Sequence, residues 1–464
     1  MSPRSIELVG VGIALSILVA ATLARRLSTD VFWSLVAGEW ILRHHSMFGT
    51  DSFTYTEPHR RWIADEWGSE VVLASMFKAF GSWAYNLYAI GTGTASLLCA
   101  LAYTRALGAR GGRVAGMMIL LALGIAPVIT QDRGVSFSLI WLPLELLVLT
   151  KARSNPRWLW WLPVLLMCWV NTHGTILIGL FILGVELAWA AAPTRLLTAF
   201  GGVGRSPYPG QLAVASAVAV LASCISPYGP GLLLYDLKVT TNSQIGGYFA
   251  EWQSPDFHSM ELLVFYCVPL LIFILAVRSG RVMVLEGSLC ILLFLAALHS
   301  ERFIVYLFIA TCGLASCLPS RPPWGARYRR VAGALIAGIF VAVLAAPSVP
   351  AGSVTSDTPV RAFNFLAPHP GRIFTQETWE DYAVLRHRAT FLDGRADYFS
   401  GSVFSEFFDV TGVSSDPDQV LSHYDVKYVV WARGTPLYVY LDDDPKWQVI
   451  DRTGPAVVFA RRST

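Results

Sequence analysis

Ionisable side chains are sparse in this chain, so those standing between apolar runs are the first places to look for chemistry. The 464 residues hold 32 Asp and Glu, 35 Lys and Arg, and nine His. Asp30 opens the segment Thr29-Asp30-Val31-Phe32-Trp33-Ser34-Leu35-Val36-Ala37-Gly38-Glu39-Trp40-Ile41-Leu42, just beyond the first apolar run. Two roles suit it: one of Ser28, Thr29 and Asp30 caps the helix that follows, or the carboxylate is held there as a general base. Further on, Trp62 and Trp67 have the amphipathic character of interfacial anchors, and the intervening Asp65 and Glu66 read as solvated charges or substrate contacts. Arg133 and Arg302 stand in very short turns, where an arginine either snorkels toward lipid phosphates or binds a ligand. Short turns between packed helices are poor places for idle charge. Asn171 and His173 occupy an equally tight turn, with backbone capping and substrate contact both open.

The elements that must position these groups follow from composition. Residues of the AVILMFWYC set make up 54% of the chain and charged residues 14%, against about 25% charged in soluble domains. Mean hydropathy is +0.51. Collagen, disordered and disulfide-scaffold classes are excluded, and a net charge of +3 is too balanced for a nucleic-acid binder. About eleven apolar runs are long enough to cross a bilayer: 7–24, 82–104, 114–130, 134–150, 158–172, 174–192, 210–226, 260–277, 282–298, 303–319 and 331–347. Arg25 and Arg26 follow the first run where a signal peptidase would require small residues, so it reads as a retained span. Lys and Arg concentrate in alternate loops, which predicts a cytoplasmic amino terminus and places all nine histidines, with the C-terminal segment, outside. The seven cysteines lie in or beside apolar runs without metal-ligand spacing.

After Pro350 the composition becomes that of a soluble domain, with 15 acidic and 11 basic residues. β-rich runs at Arg372–Gln376, Thr390–Asp393, Lys427–Arg433, Trp447–Asp451 and Ala456–Ala460 alternate with helical patterns at Trp379–Arg388 and Asp418–Tyr424. The expected fold class is an α-helical polytopic membrane protein: a transmembrane domain, 1–349, with a first outer loop at 26–81, followed by a small extracytoplasmic α/β domain, 350–464. Glu145, Glu186 and Glu286 fall inside the runs and read as helix-pairing charges. No nucleotide-binding glycine motif is present.

The order of short motifs resembles the bacterial GT-C superfamily of membrane glycosyltransferases, with the layout of aminoarabinose transferases and protein O-mannosyltransferases. Asp30 with its aromatic neighbours and Gly38-Glu39-Trp40-Ile41 is followed by Asp51-Ser52-Phe53-Thr54-Tyr55-Thr56 and by Trp62 through Glu66-Trp67. Gln131-Asp132-Arg133, Trp169 to Gly174, Ser226-Pro227-Tyr228-Gly229 with Glu251-Trp252, and His299-Ser300-Glu301-Arg302 continue it, and Phe391-Leu392-Asp393-Gly394-Arg395 is also familiar from such proteins. The resemblance implies GT-C architecture at the bacterial inner membrane and transfer of a sugar from a polyprenyl-phosphate carrier to an envelope lipid, glycan or protein acceptor, usually with inversion.

It also implies that Asp30 is the catalytic base. Many relatives carry a second acid beside it, where this chain has Val31, so Glu39, Asp51 or Glu66 is a candidate contributor. Such chemistry needs positive groups for the departing phosphate: Arg133 and Arg302, with His173 and His299 as hydrogen-bond donors. In relatives a loop such as 228–260 of this chain helps form the donor pocket, which makes Lys238, Tyr228 and Glu251 candidates, while Trp62 with Glu66 would form a sugar platform and Asn171 with His173 a substrate contact. A divalent cation stays open as cofactor: His44-His45 with Asp30 or Asp51 offer nitrogen and oxygen donors, but adjacent histidines on a helix diverge and no metal motif is present. The rival readings are a transporter or flippase, which the lack of internal repeats disfavours, and a non-catalytic envelope-assembly scaffold acting through residues 350–464.

Overall fold

The computed structural model describes residues 2–25, 27–193, 195, 204–242, 248–279, 282–318, 358–452 and 454–462. Their contacts divide the chain into two compact units: one from Met1–Arg25, Trp83–Thr241 and Phe249–Ala351, the other from Arg26–Ser82, Asn242–Tyr248 and Gly352–Thr464.

The first unit is helical. Ten of the apolar runs fall on helical segments, and the eleventh, 331–347, lies outside the described residues together with the boundary drawn at Pro350. Pro3–Ala24, Trp83–Ala106, Gly112–Ile129 and Val135–Ala152 are each long and apolar enough to cross a membrane. Ile176–Ala191, Pro209–Ala222, Leu262–Arg278 and Val284–His299 are shorter apolar helices, and the protein is a multi-pass membrane protein. Leu8, Leu98, Leu221 and Leu271 are exposed on these helices, which suits side chains solvated by lipid. Small residues let the helices approach closely: a methyl group at Gly10 would collide with Ala115, and one at Gly124 with the Phe308 ring. Polar pairs tie the ends together. Glu7 accepts from Arg105 Nη2 at 2.6 Å and from the Gly111 N–H at 2.7 Å, while Arg153 meets Glu286 at 3.1 Å.

The second unit is built on a four-stranded sheet. β1 (Arg372–Thr375) runs parallel to β2 (Val426–Ala432), which pairs antiparallel with β4 (Ala456–Arg461), and β3 (Trp447–Asp451) closes the far edge in the order β1-β2-β4-β3. Central β4 reads Ala-Val-Val-Phe-Ala and is buried on both faces, as a strand covered from two sides must be. Helices Val360–Leu366, Glu377–Leu385, Gly401–Gly412, Pro417–His423 and Pro436–Asp443 belong to the same unit, the second and fourth accounting for the two helical patterns read from the sequence. Thr390–Asp393, expected as a strand, makes a single bridge from Thr390 to Thr54. Its backbone is engaged by the loop 53–56 instead of a sheet neighbour: Thr390 N–H donates to Phe53 O and Tyr55 N–H to Thr390 O, both at 3.1 Å.

That bridge explains why the segment 26–82 clusters with the C-terminal residues. Tyr55 Oη donates to Ile373 O at 3.0 Å, Thr56 Oγ1 to Phe391 O at 2.8 Å and Tyr398 Oη to Glu57 O at 2.5 Å. At the centre Arg395, 1% exposed, donates to Asp393 Oδ2 at 2.6 Å and to Asp51 Oδ1 at 2.8 Å. Asp51 in turn caps its own loop, accepting from the N–H of Phe53 and Thr54. The guanidinium lies 4.5 Å from the Trp62 ring centre and 4.7 Å from that of Tyr398.

Replacing Arg395 by Met would leave two buried carboxyl groups without their counter-charge, a change that typically costs about 3–5 kcal/mol. Arg452→Met, which breaks the exposed pair with Asp442, should cost less than about 1 kcal/mol. Thermal unfolding of the purified protein in detergent compares the two, and equal midpoints would refute the importance assigned to the buried triad.

Candidate active site

Two constellations of polar groups stand out, one in each unit. In the helical unit the sequence folds into tight turns at one end of the helices. Arg25, just past the first helix, donates to Asp132 Oδ2 at 2.5 Å and to Tyr85 O at 3.0 Å. Asp132 sits in the left-handed region with φ of 56°, where Asp is among the few side chains tolerated. Burial pushes its carboxyl up to about 7 against the pull of Arg25. Tyr88 Oη donates to the carbonyl of Arg133 at 3.1 Å, so the backbone that carries Arg133 is held on both sides.

Arg133 and Arg302 line one cavity of 290 Å³ with Gln131, His173, Glu251 and Glu301, while Val128, Leu262, Phe265 and Val305 form its apolar part. Arg133 Nη1 lies 3.8 Å from Glu251 Oε2, and the Arg302 guanidinium covers the Trp252 ring at 3.9 Å. His173 Nδ1 shares hydrogen bonds with Ser138 Oγ at 2.9 Å and Thr175 Oγ1 at 2.7 Å, which orients the ring. Burial raises the Glu301 carboxyl, and nearby Glu251 adds to the effect. The cavity therefore joins an apolar wall to a polar end carrying two guanidinium groups, a shape matched to an amphipathic anion.

In the second unit Asp30 is the first residue of the helix Asp30–His44, following Thr29 at the N-cap position. Gly394 marks where its carboxylate lies. A Cβ on that glycine would stand 2.6 Å from Asp30 Oδ1, 2.9 Å from Asp381 Oδ2 and 3.1 Å from Trp33 Nε1. Asp381 Oδ1 accepts the Gly394 N–H at 2.9 Å. Burial raises the Asp381 carboxyl well above the ordinary range, with Asp30 and Asp393 adding to it. Glu380 is raised by burial and by Asp381, and Glu377 by burial and by Asp30. Asp393 is raised by burial despite Arg395, and the two acids on Arg395 outweigh burial to hold its guanidinium firmly charged.

The remaining residues named from the sequence divide clearly. Glu39 lines a second cavity of 190 Å³ with Trp40, Arg43 and His387, all within the second unit. Asp51 and Trp62 are core residues, Asp51 accepting from Arg395 and Trp62, 2% exposed, lying against the same guanidinium. Glu66 is buried at the head of the helix Trp67–Phe80, its carbonyl accepting from Ser69 Oγ at 2.8 Å. Asn171 staples two backbone segments, donating to Met167 O at 2.7 Å and Ile225 O at 2.8 Å, the capping role of its two readings. Lys238, Tyr228 and His299 belong to the helical unit and are not among the residues lining its 290 Å³ cavity. Among the described residues, no group of three or more His, Cys, Asp or Glu is disposed to hold a metal ion.

Asp381 and Trp33 were not singled out by sequence reasoning. The available signal was Glu380-Asp381 set between Trp379 and Tyr382, two charges in an aromatic helical pattern, together with Asp393-Gly394-Arg395.

No protein-family model matches the chain, and no curated protein matches its sequence. Solved structures share its fold. The archaeal oligosaccharyltransferase AglB from Archaeoglobus fulgidus, in complex with an inhibitory peptide and a dolichol-phosphate, superposes with a TM-score of 0.63 at 12% identity, over 92% of this chain and 69% of that one. ArnT from Cupriavidus metallidurans bound to undecaprenyl phosphate gives 0.57 at 14% identity, over 98% of this chain and 97% of that one. The same protein in its apo state gives 0.60 at 15% identity over the same shares. The chain thus shares the fold of these AglB and ArnT structures, in agreement with the layout that the motif order led one to expect.

The Gly394 notch makes a sharp prediction. Gly394→Ala must displace Asp30, Asp381 or Trp33, a strain of about 1–3 kcal/mol, and should alter the near-ultraviolet circular dichroism of Trp33. Gly412→Ala, at a helical site with nothing within 4 Å, should be neutral or slightly stabilising. Identical spectra and unfolding midpoints for the two variants would show that the notch is not filled as described.

Proposed function

We propose that this chain transfers a sugar from a polyprenyl-phosphate carrier to an envelope acceptor on the outer face of the bacterial inner membrane. The observation that carries the reading is the cavity of the helical unit: an apolar wall ending in Arg133 and Arg302, in a fold shared with an AglB structure holding a dolichol-phosphate and an ArnT structure holding undecaprenyl phosphate. The alternate-loop charge distribution supports an outward site with the amino terminus cytoplasmic.

Arg133 and Arg302 bind the carrier phosphate through charge-assisted hydrogen bonds, and His173 donates to the same oxygens. As the anomeric carbon–oxygen bond breaks, its electron pair passes to the phosphate oxygen, and the two guanidinium groups stabilise the charge that forms there. The acceptor heteroatom bonds to the anomeric carbon on the opposite face, inverting it, and its proton goes to Asp30. Glu251, 3.8 Å from Arg133, keeps that guanidinium oriented before the donor arrives.

Asp30→Asn should lower kcat by about 10²–10⁴-fold with the protein still folded in the membrane. Arg133→Ala and Arg302→Ala should each raise KM for the lipid-linked donor about tenfold or more, the effect of losing a charged hydrogen bond. Release of polyprenyl phosphate from a panel of polyprenyl-phosphate-sugars reports both. Normal turnover by Asp30→Asn would remove the base assignment, and failure of the wild type to bind or cleave any donor would favour a scaffold.

A further inference from the structure

We propose that Asp381 is the positioning residue for Asp30: the two carboxyl groups share one proton beside the Cα of Gly394, with Asp381 keeping it and donating to the Asp30 carboxylate. The proposal rests on the reading of Asp30 as the base, and it assigns a role to a residue from the C-terminal half of the chain.

Three observations support it. Oδ1 of Asp30 and Oδ2 of Asp381 converge on the point that a Gly394 side chain would occupy, at 2.6 and 2.9 Å, so glycine is the residue that lets both reach one spot. The other oxygen of Asp381 is fixed at 2.9 Å by the Gly394 N–H, which leaves Oδ2 to face Asp30. The helices carrying the two acids pack directly, with the rings of Phe32 and Tyr382 at 5.6 Å, and the loop that carries Gly394 is anchored by the Asp393–Arg395–Asp51 triad. The pair is thus framed by two packed helices and an anchored loop.

Each acid places an oxygen within 3 Å of the same point, and Asp381 is 1% exposed, so ionising both at neutral pH is unfavourable. The charged and titratable groups around Asp381 are Asp30 on the facing helix, Asp393 and Arg395 on the loop, and Glu377 and Glu380 on its own helix. Arg395 is committed to Asp393 and Asp51, so it does not neutralise Asp381 through a direct bond. The proton therefore stays on the more buried partner, and Asp30 remains an oriented, ionised carboxylate. As pH rises past the elevated range of Asp381 the proton is lost, the two charges repel, and the base is displaced.

The test compares two substitutions. Asp381→Asn offers an amide that accepts from Gly394 and donates to Asp30 without titrating; it should extend activity into alkaline solution where the wild type declines. Asp381→Ala should lose about tenfold or more in kcat while KM for the lipid-linked donor stays the same. An Asn variant as inactive as Asp30→Asn, or an Ala variant with wild-type kcat and pH profile, would overturn the proposal. A readout that needs no substrate separates this failure from failure of the glycosyltransferase reading. The infrared band of a protonated carboxyl should be present in the wild type at neutral pH and lost in Asp381→Asn; no difference between the two spectra overturns the shared proton whatever the enzyme transfers.

Discussion

One buried guanidinium organises the second unit. Arg395 is bound by Asp393, two residues before it, and by Asp51, 344 residues before it, so a single cation joins the first loop to the C-terminal sheet domain. A buried ion triad is expensive to desolvate, and it is tolerated when hydrogen bonds satisfy the charges. Here the loop 49–62 and the loop 390–398 both fold around it, with Trp62, Phe53 and Tyr398 covering the guanidinium. Gly394 lies between two members of the triad. Its position, and with it the place where Asp30 and Asp381 meet, is a consequence of how the charge is enclosed.

The helical unit solves a different problem. Its cavity joins an apolar wall to a charged end, the helices supplying the wall and the segments between them the charged groups. Arg25 and Asp132 act behind this surface. They hold the turn from below, together with Tyr88, so that Arg133 is presented by a fixed backbone. Trp252 does the same for Arg302 by lying flat against its guanidinium, a stacking that favours arginine over lysine at that place.

Much of the architecture was legible because apolar runs of bilayer length have few alternatives. Ten of them fall on helical segments, and four of the five expected strands form with ends shifted by at most about two residues. The fifth, Thr390–Asp393, has strand-like composition, but its partner is a distant loop, which local pattern cannot reveal. The same limit governed the site. Arg133, Arg302 and His173 were recognisable because polar groups in a short turn between apolar runs are conspicuous, Glu251 came through the family resemblance, and the structure gathers them in one cavity. Trp62 was named as an interfacial anchor and Asp51 through the family resemblance, yet both are core residues, engaged by a cation that lies hundreds of residues away. Asp381 escaped notice because an acid on a short amphipathic helix ordinarily faces water. Its burial and the glycine across from it show that it does not.

The most direct test of the account is a structure of the purified protein in nanodiscs with undecaprenyl phosphate added. The account predicts density for the phosphate within hydrogen-bond distance of Arg133 and Arg302, with the isoprenoid chain along Leu262, Phe265 and Val305. Lipid phosphate bound elsewhere while this cavity remains empty would contradict it.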